Sequence, residues 1–233
     1  AYRIHSPFMS DQLDRLVEPS SIKNTADLNA YLQGLVQTSN MPGLAISIVK
    51  DDNIVYQESF GFANIQNQVA YTNETINSLA SLSKTFVGAA VAKAIEEGYF
   101  TLETDINDIL PIHIINPKQP QGVIKIKHLV THTSSLLDNP EVYLAHNYHI
   151  LQGENITTAG AGFLMNELGI EQRDSYALEE FLAAYFLEDG DLYSSDNFAD
   201  TPPGNTWAYS NLATGLTGYI IETATGKSFD DYV

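Results

Sequence analysis

Between Asn24 and Gly43 the apolar positions recur with helical spacing. Leu28, Tyr31, Leu32, Leu35 and Val36 fall on one face, Asn24 or Thr25 can cap it, and the Met41-Pro-Gly43 turn closes it. The period then drops to two. Leu44, Ile46 and Ile48 alternate, as do Ile54 and Tyr56, and the intervening Asp51-Asp52-Asn53 predicts an antiparallel hairpin. From about residue 76 the texture is helical. KTFVGAAVAKAIEEGYF is apolar nearly all round, which predicts a buried helix stopping at Gly98. Further helices are predicted around 125–131, 176–187 and 210–225. The stretch from Asn139 to Arg173 has no clear period and reads as a loop-rich excursion, and the first two dozen residues read as an irregular lead. This is an α+β pattern: residues 1–75 carry lead, helix and hairpin, and residues 76–233 are mostly helical.

Composition narrows the function classes. The 233 residues suffice for one large domain or two small ones, and 44% hydrophobic with 17% charged residues is globular composition. With 11 basic against 29 acidic residues the formal charge is −18, which repels phosphate backbones and anionic lipid and argues against nucleic-acid partners. The absence of cysteine excludes a disulfide framework, thiolate catalysis and cysteine-ligated metal. No apolar stretch approaches the length that spans a bilayer. The opening AYRIHSPFMS lacks a basic segment followed by an apolar one, so no signal peptide is expected within this chain.

The candidate chemistry starts at SLASLSKTFVG, where Ser81 precedes Lys84 by three residues. The same Ser-x-x-Lys spacing occurs at Ser20/Lys23 and Ser47/Lys50. Ser47 and Lys50 belong to a predicted strand, where residues three apart point to opposite faces. Ser20 and Lys23 sit in the irregular lead. Only Ser81 and Lys84 fall at a helix start, where i and i+3 share a face. A serine hydroxyl becomes a good nucleophile when a neighbouring base within hydrogen-bond reach takes its proton, and a lysine serves only as the neutral amine. The alternative reading is a capping serine with a surface lysine. A second constellation, Tyr209-Ser210-Asn211, follows the Pro202-Pro203-Gly204 turn and opens a helical run. A tyrosine hydroxyl beside an amine can shuttle protons, and an asparagine amide can hold both the lysine and a substrate carbonyl. Tyr71-Thr72-Asn73 repeats the spacing in a polar link.

Together these segments resemble the penicillin-recognising serine hydrolases, especially the branch of class C β-lactamases, D-alanyl-D-alanine carboxypeptidases and related esterases. Ser81-Leu-Ser-Lys84 resembles the family's first motif and Tyr209-Ser-Asn211 its second. HLVTHTSSLLD, His128 to Asp138, looks like its His-Thr-Ser-Gly-Leu segment with Ser135 in place of glycine. The hairpin and GYFTLETDINDILP are also similar, so the likeness runs from about residue 28 to Val233. It implies a β-lactamase/transpeptidase-like fold, with an antiparallel sheet flanked by helices plus an all-α subdomain. It also implies a serine hydrolase acting through an acyl-enzyme on an amide or ester, as a β-lactamase, carboxypeptidase or esterase. In that scheme Ser81 is the nucleophile, Lys84 accepts its proton, Tyr209 shuttles it, Asn211 orients the substrate and the Ser81 N–H gives half of an oxyanion hole. No metal and no other cofactor are implied, and the partner is a small-molecule or peptide substrate. A periodic Lys/His-x-Gly strand, the family's third motif and source of the second oxyanion donor, does not occur among these residues. The expectation is a fragment or a complementary C-terminal chain, with an inactive binding or sensor module as the competing reading. By the same resemblance the location is periplasmic or secreted.

The remaining candidates are weaker. His128 and His132 have a spacing that can ligate zinc, but no glutamate or third ligand accompanies them, and they read as structural. His146 and His149 read as exposed loop histidines. Asn73-Glu-Thr75 and Asn155-Ile-Thr157 match glycosylation acceptors, relevant only in a secreted eukaryotic chain. Gly160-Ala-Gly162 lacks a preceding strand and a lysine, so it is not a phosphate loop.

Overall fold

The computed structural model describes residues 22–174 and 177–233. The irregular lead, with Ser20, lies outside the described residues apart from its last few. The chain divides into two compact units after Ser78.

In the first unit, α1 (Thr25–Thr38) starts at Asn24, whose side chain accepts from the Asp27 N–H. Strands β1 (Gly43–Lys50), β2 (Asn53–Asn64) and β3 (Val69–Ala70) form an antiparallel sheet in that order. Lys50 pairs with Asn53, leaving Asp51 and Asp52 as a two-residue turn. Both have positive φ, 49° and 59°, the twist that a two-residue hairpin needs and that aspartate tolerates. The Tyr56 hydroxyl of β2 donates to Asn29 of α1 at 2.6 Å. Gly61 has φ 78°, and a Cβ there would lie 2.3 Å from the Pro42 carbonyl oxygen, so only glycine fits.

The second unit is built on helices. A 3-10 turn, Ala80–Ser83, runs into α2 (Lys84–Glu96). After α3 (Ile126–Val130) come α6 (Leu178–Phe186) and the long α7 (Asn211–Thr225), all at the predicted places, then a short α8 (Phe229–Tyr232). The excursion from Asn139 to Arg173 is not loop-rich as expected. It holds α4 (Pro140–Asn147), α5 (Ala159–Leu168) and a two-residue parallel ladder, β4 (Ile150–Leu151) with β5 (Gln172–Arg173). Local caps explain both helices. The Asn139 side chain accepts from the Glu141 N–H with Pro140 at the first position, and Thr158 accepts from Ala161 N–H while Gly169 closes α5 at φ 66°. Gly160 and Gly162 therefore lie inside a helix. His146 and His149 are half-buried rather than exposed, because they line a cleft with Leu178 and Phe181.

Helix α7 is the axis of this unit, burying Leu212, Ala213, Leu216, Thr217, Tyr219 and Ile220. Helix α2 packs on it and buries Ala90, Val91 and Ala94, with Ile95 partly buried against the same core. The rest of the helix stays largely exposed, contrary to the expectation of burial all round: Gly88, Ala89 and Ala92 lose little by facing water, but Phe86 is also 50% exposed.

A buried polar network fixes the segment before α4. The Tyr185 hydroxyl donates to the Leu137 carbonyl at 3.0 Å and accepts from the Asn139 N–H at 2.7 Å. The Asn139 amide donates to Asn197 at 2.8 Å, and Asn197 donates to the Tyr185 and Leu192 carbonyls. Burial, the largest cause, raises the Tyr185 phenol to about 12, so it works as a neutral donor and acceptor. Tyr185→Phe strands a buried N–H and a carbonyl, and should destabilise the helical unit by about 1–3 kcal/mol, read as a lower urea midpoint in near-UV circular dichroism.

Candidate active site

Ser81 lies in the 3-10 turn at the head of α2 and is exposed, while Lys84 is the first residue of the helix and half-buried. Ala80, immediately before Ser81, has φ 46°, a left-handed angle that a non-glycine residue holds only when its surroundings impose it. The turn places the Lys84 amine 3.3 Å from Ser81 Oγ as donor. Ser47 and Lys50, by contrast, lie in β1 as expected.

The second predicted motif reaches the same point across the unit. Gly204 ends the proline turn at φ 91°, where a Cβ would stand 3.1 Å from His128 Nε2. The loop that follows docks on residues 132–133: Gly204 N–H donates to the Thr133 carbonyl, Ala208 N–H to the His132 carbonyl and Ser210 N–H to His132 Nδ1. The His132 ring lies 4.7 Å from that of Tyr209 and edge-on to Trp207 at 6.3 Å. As a result the Tyr209 hydroxyl donates to Ser81 Oγ at 2.7 Å, and Lys84 donates to Asn211 Oδ1 at 2.6 Å. Ser81, Lys84, Tyr209 and Asn211 thus form one connected hydrogen-bonded cluster. Hydrogen bonding to Lys84, then to Ser81, pulls the Tyr209 phenol below its ordinary value, against burial and the Asp138 charge.

Both histidines of the zinc-like spacing have a nitrogen committed to backbone. His128 Nδ1 accepts from Lys125 N–H at 3.2 Å and His132 Nδ1 from Ser210 N–H. Burial is the main cause lowering both imidazoles, which favours the neutral form that can accept. Among the described residues no group of three or more histidine, aspartate or glutamate side chains could hold a metal ion, and no helix is long and apolar enough to cross a membrane.

Sequence reasoning missed Asp138. Its Oδ1 accepts from Ser210 Oγ at 2.9 Å and Leu212 N–H at 3.0 Å, and its Oδ2 accepts from Asn211 N–H at 2.8 Å and Asn211 Nδ2 at 2.7 Å. The residue was visible at the end of HLVTHTSSLLD, but nothing local marks a partner 72 residues away. Ser135 keeps the left-handed turn at φ 65°, and its buried hydroxyl accepts from Asn116 at 3.1 Å.

Residues 28–233 match the family described as Beta-lactamase. Protein flp of Staphylococcus aureus (strain MRSA252) is 24% identical over 206 residues, covering 88% of this chain and 34% of that protein. Esterase EstB of Burkholderia gladioli is 26% identical over 205 residues, covering 87% of this chain and 46% of that protein. The solved octameric penicillin-binding protein homologue from Pyrococcus abyssi has a TM-score of 0.63 at 24% identity, covering 90% of this chain and 41% of that one. The fold is the β-lactamase/transpeptidase-like one. The chain spans less than half the length of these relatives.

The Ser135 turn gives a test of local strain. Ser135→Gly relieves the left-handed angle but loses the Asn116 bond, so its stability should stay within about 1 kcal/mol of wild type. Ser135→Val keeps the angle, adds a β-branch and loses the bond, and should cost about 3 kcal/mol or more, both read from urea midpoints.

Proposed function

The chain belongs to the Beta-lactamase family, and on that premise we propose that it is a serine hydrolase working through an acyl-enzyme on an amide or ester bond. The observation that carries this reading is Ser81 Oγ held 2.7 Å from the Tyr209 hydroxyl and 3.3 Å from Lys84 Nζ. A nucleophile, a proton acceptor and a group that stabilises the acceptor's anion stand within reach of one another.

Ser81 Oγ bonds to the substrate carbonyl carbon as its proton passes to the Tyr209 phenolate. The tetrahedral adduct collapses by breaking the bond to the amine or alcohol, which leaves with the proton returned by Tyr209. Water, giving its proton to the same phenolate, attacks the acyl carbon; the bond to Ser81 Oγ breaks and Tyr209 returns that proton to Oγ, releasing the carboxylic acid product. Lys84 holds the phenolate in its ionised form and is itself held by Asn211. The second N–H of the Asn211 amide is available to a substrate carbonyl, and the Ser81 N–H supplies one oxyanion donor.

Labelling by a fluorophosphonate probe tests the reading. Wild-type protein should take up one equivalent, Ser81→Ala none, and Tyr209→Phe should react about 10²–10⁴-fold more slowly. Because the base is the ionised phenol, the wild-type rate should rise with pH through a midpoint below the ordinary phenol value of 10.0 and then level off, and Tyr209→Phe should lack that limb. Ligand binding that survives Ser81→Ala without any labelling of wild type would instead support a binding module.

Charge bears on substrate class. A formal charge of −18 slows the approach of anionic substrates and leaves neutral esters and amides unaffected. Acylation by a carboxylate-bearing β-lactam should therefore speed up on raising salt from about 0.01 to 0.15 M, as the Debye length shrinks from about 30 to 8 Å, while acylation by a neutral ester stays level.

A further inference from the structure

Four donors converge on Asp138, and all come from three consecutive residues, Ser210, Asn211 and Leu212. Two of these bonds complete the cap of α7, in which Ser210 Oγ accepts from the Ala213 N–H at 2.9 Å, but the Asn211 side-chain bond is not a capping bond. What the carboxylate adds is a decision about the Asn211 amide. A carboxylate only accepts, so the amide NH2 must face Asp138 and the amide oxygen is turned to Lys84. Lys84 in turn donates to Ser81 and is the main cause lowering the Tyr209 phenol. The backbone that carries the carboxylate is itself held. Leu137 and Asn139 on either side of it are held by the buried Tyr185 hydroxyl, Leu137 N–H donates to the Asn197 carbonyl, and the Asn139 amide donates to Asn197.

We propose that Asp138 is a positioning residue for Ser81 acylation: its carboxylate orients the Asn211 amide and thereby seats Lys84 and Tyr209 beside Ser81. This rests on the hydrolase reading above for its consequence, but the seating is measurable without turnover. Asp138 makes no hydrogen bond to Ser81 or Lys84, so any seating of them runs through residues 210–212, beside the direct effect of its charge on Tyr209.

The two ways Asp138 could act on Tyr209 have opposite signs. As a bare negative charge it opposes the phenolate, so removing it should ease ionisation. As a clamp it brings Lys84 to the phenol, so removing it should make ionisation harder. Besides Asp138, the charged or titratable groups facing Tyr209 are Lys84 from α2, His132 from the segment after α3 and Tyr143 from α4. None of these is altered by the substitution.

The experiment is a titration of ¹³Cζ-tyrosine-labelled full chain by NMR, with Tyr209 assigned through Tyr209→Phe, in wild type and Asp138→Ala. Asp138→Ser provides the same comparison with a small polar side chain should the alanine variant not fold, as judged by far-UV circular dichroism. The Tyr209 midpoint should rise in the variant towards the ordinary phenol value, and fluorophosphonate labelling of Ser81 should slow at least 30-fold. A midpoint that falls or stays unchanged, or labelling within threefold of wild type in a folded variant, overturns the proposal. Wild-type protein that is never labelled sinks the hydrolase reading alone, and the titration still decides whether Asp138 seats Tyr209.

Discussion

The carboxylate of Asp138 against the start of α7 is the contact on which the site's order depends. A helix begins with N–H groups that have no partner within it, and the first turn carries partial positive charge. In α7 the Asn211 and Leu212 N–H groups are taken by Asp138 and the Ala213 N–H by Ser210. Charge-assisted bonds of this kind are about twice as strong as neutral ones. They fix the rotation of α7 about its own axis, because the acceptor lies on a segment that is itself pinned. That rotation decides where Asn211 points, and the residue just before the cap, Tyr209, follows from it.

Backbone strain clusters at the same place. Ala80, His132 and Ser135 all hold left-handed angles without being glycine. Each such residue costs about 1–2 kcal/mol, so the conformations persist only where neighbours impose them. His132 is imposed by accepting through both its carbonyl and its ring from the 208–210 loop. Ser135 is imposed by Asn116 and by the Ala199 N–H on its carbonyl. The aspartates at the hairpin tip in the first unit reach similar angles for a different reason, since a two-residue turn demands them and aspartate tolerates them.

Much of this was legible in the sequence, and the reasons are local ones. Ser81 and Lys84 stand three apart at a helix start, and Tyr209 to Asn211 sit between a proline turn and a strongly periodic run, so both signals lie within a dozen residues. The helices α1, α3, α6 and α7 were legible for the same reason. Helices α4 and α5 were not, because their apolar pattern is weak and two glycines interrupt α5, although the caps Asn139-Pro140 and Thr158 with Gly169 were present to be read. The exposed face of α2 escaped because an alanine-rich helix gives no polar stripe to mark the outside. Asp138 escaped because its meaning lies entirely in residues more than seventy positions away.

Solvent exposure across the cluster explains why the anchor has to be on the inner side. Ser81 is exposed and Tyr209 is 41% exposed, so water competes for every bond made at the reacting end. Electrostatic attraction between exposed groups is weak and screened. One layer deeper, Ser210 and Ala213 are fully buried and Leu212 is 3% exposed. The half-buried Asp138 carboxylate bonds to that layer, where a satisfied polar network is strong and a broken one is costly. Geometry set there is passed outward through Asn211 to Lys84, and from Lys84 to Ser81 and Tyr209. The exposed hydroxyls of Ser81 and Tyr209 therefore keep their spacing through residues that lie beneath them.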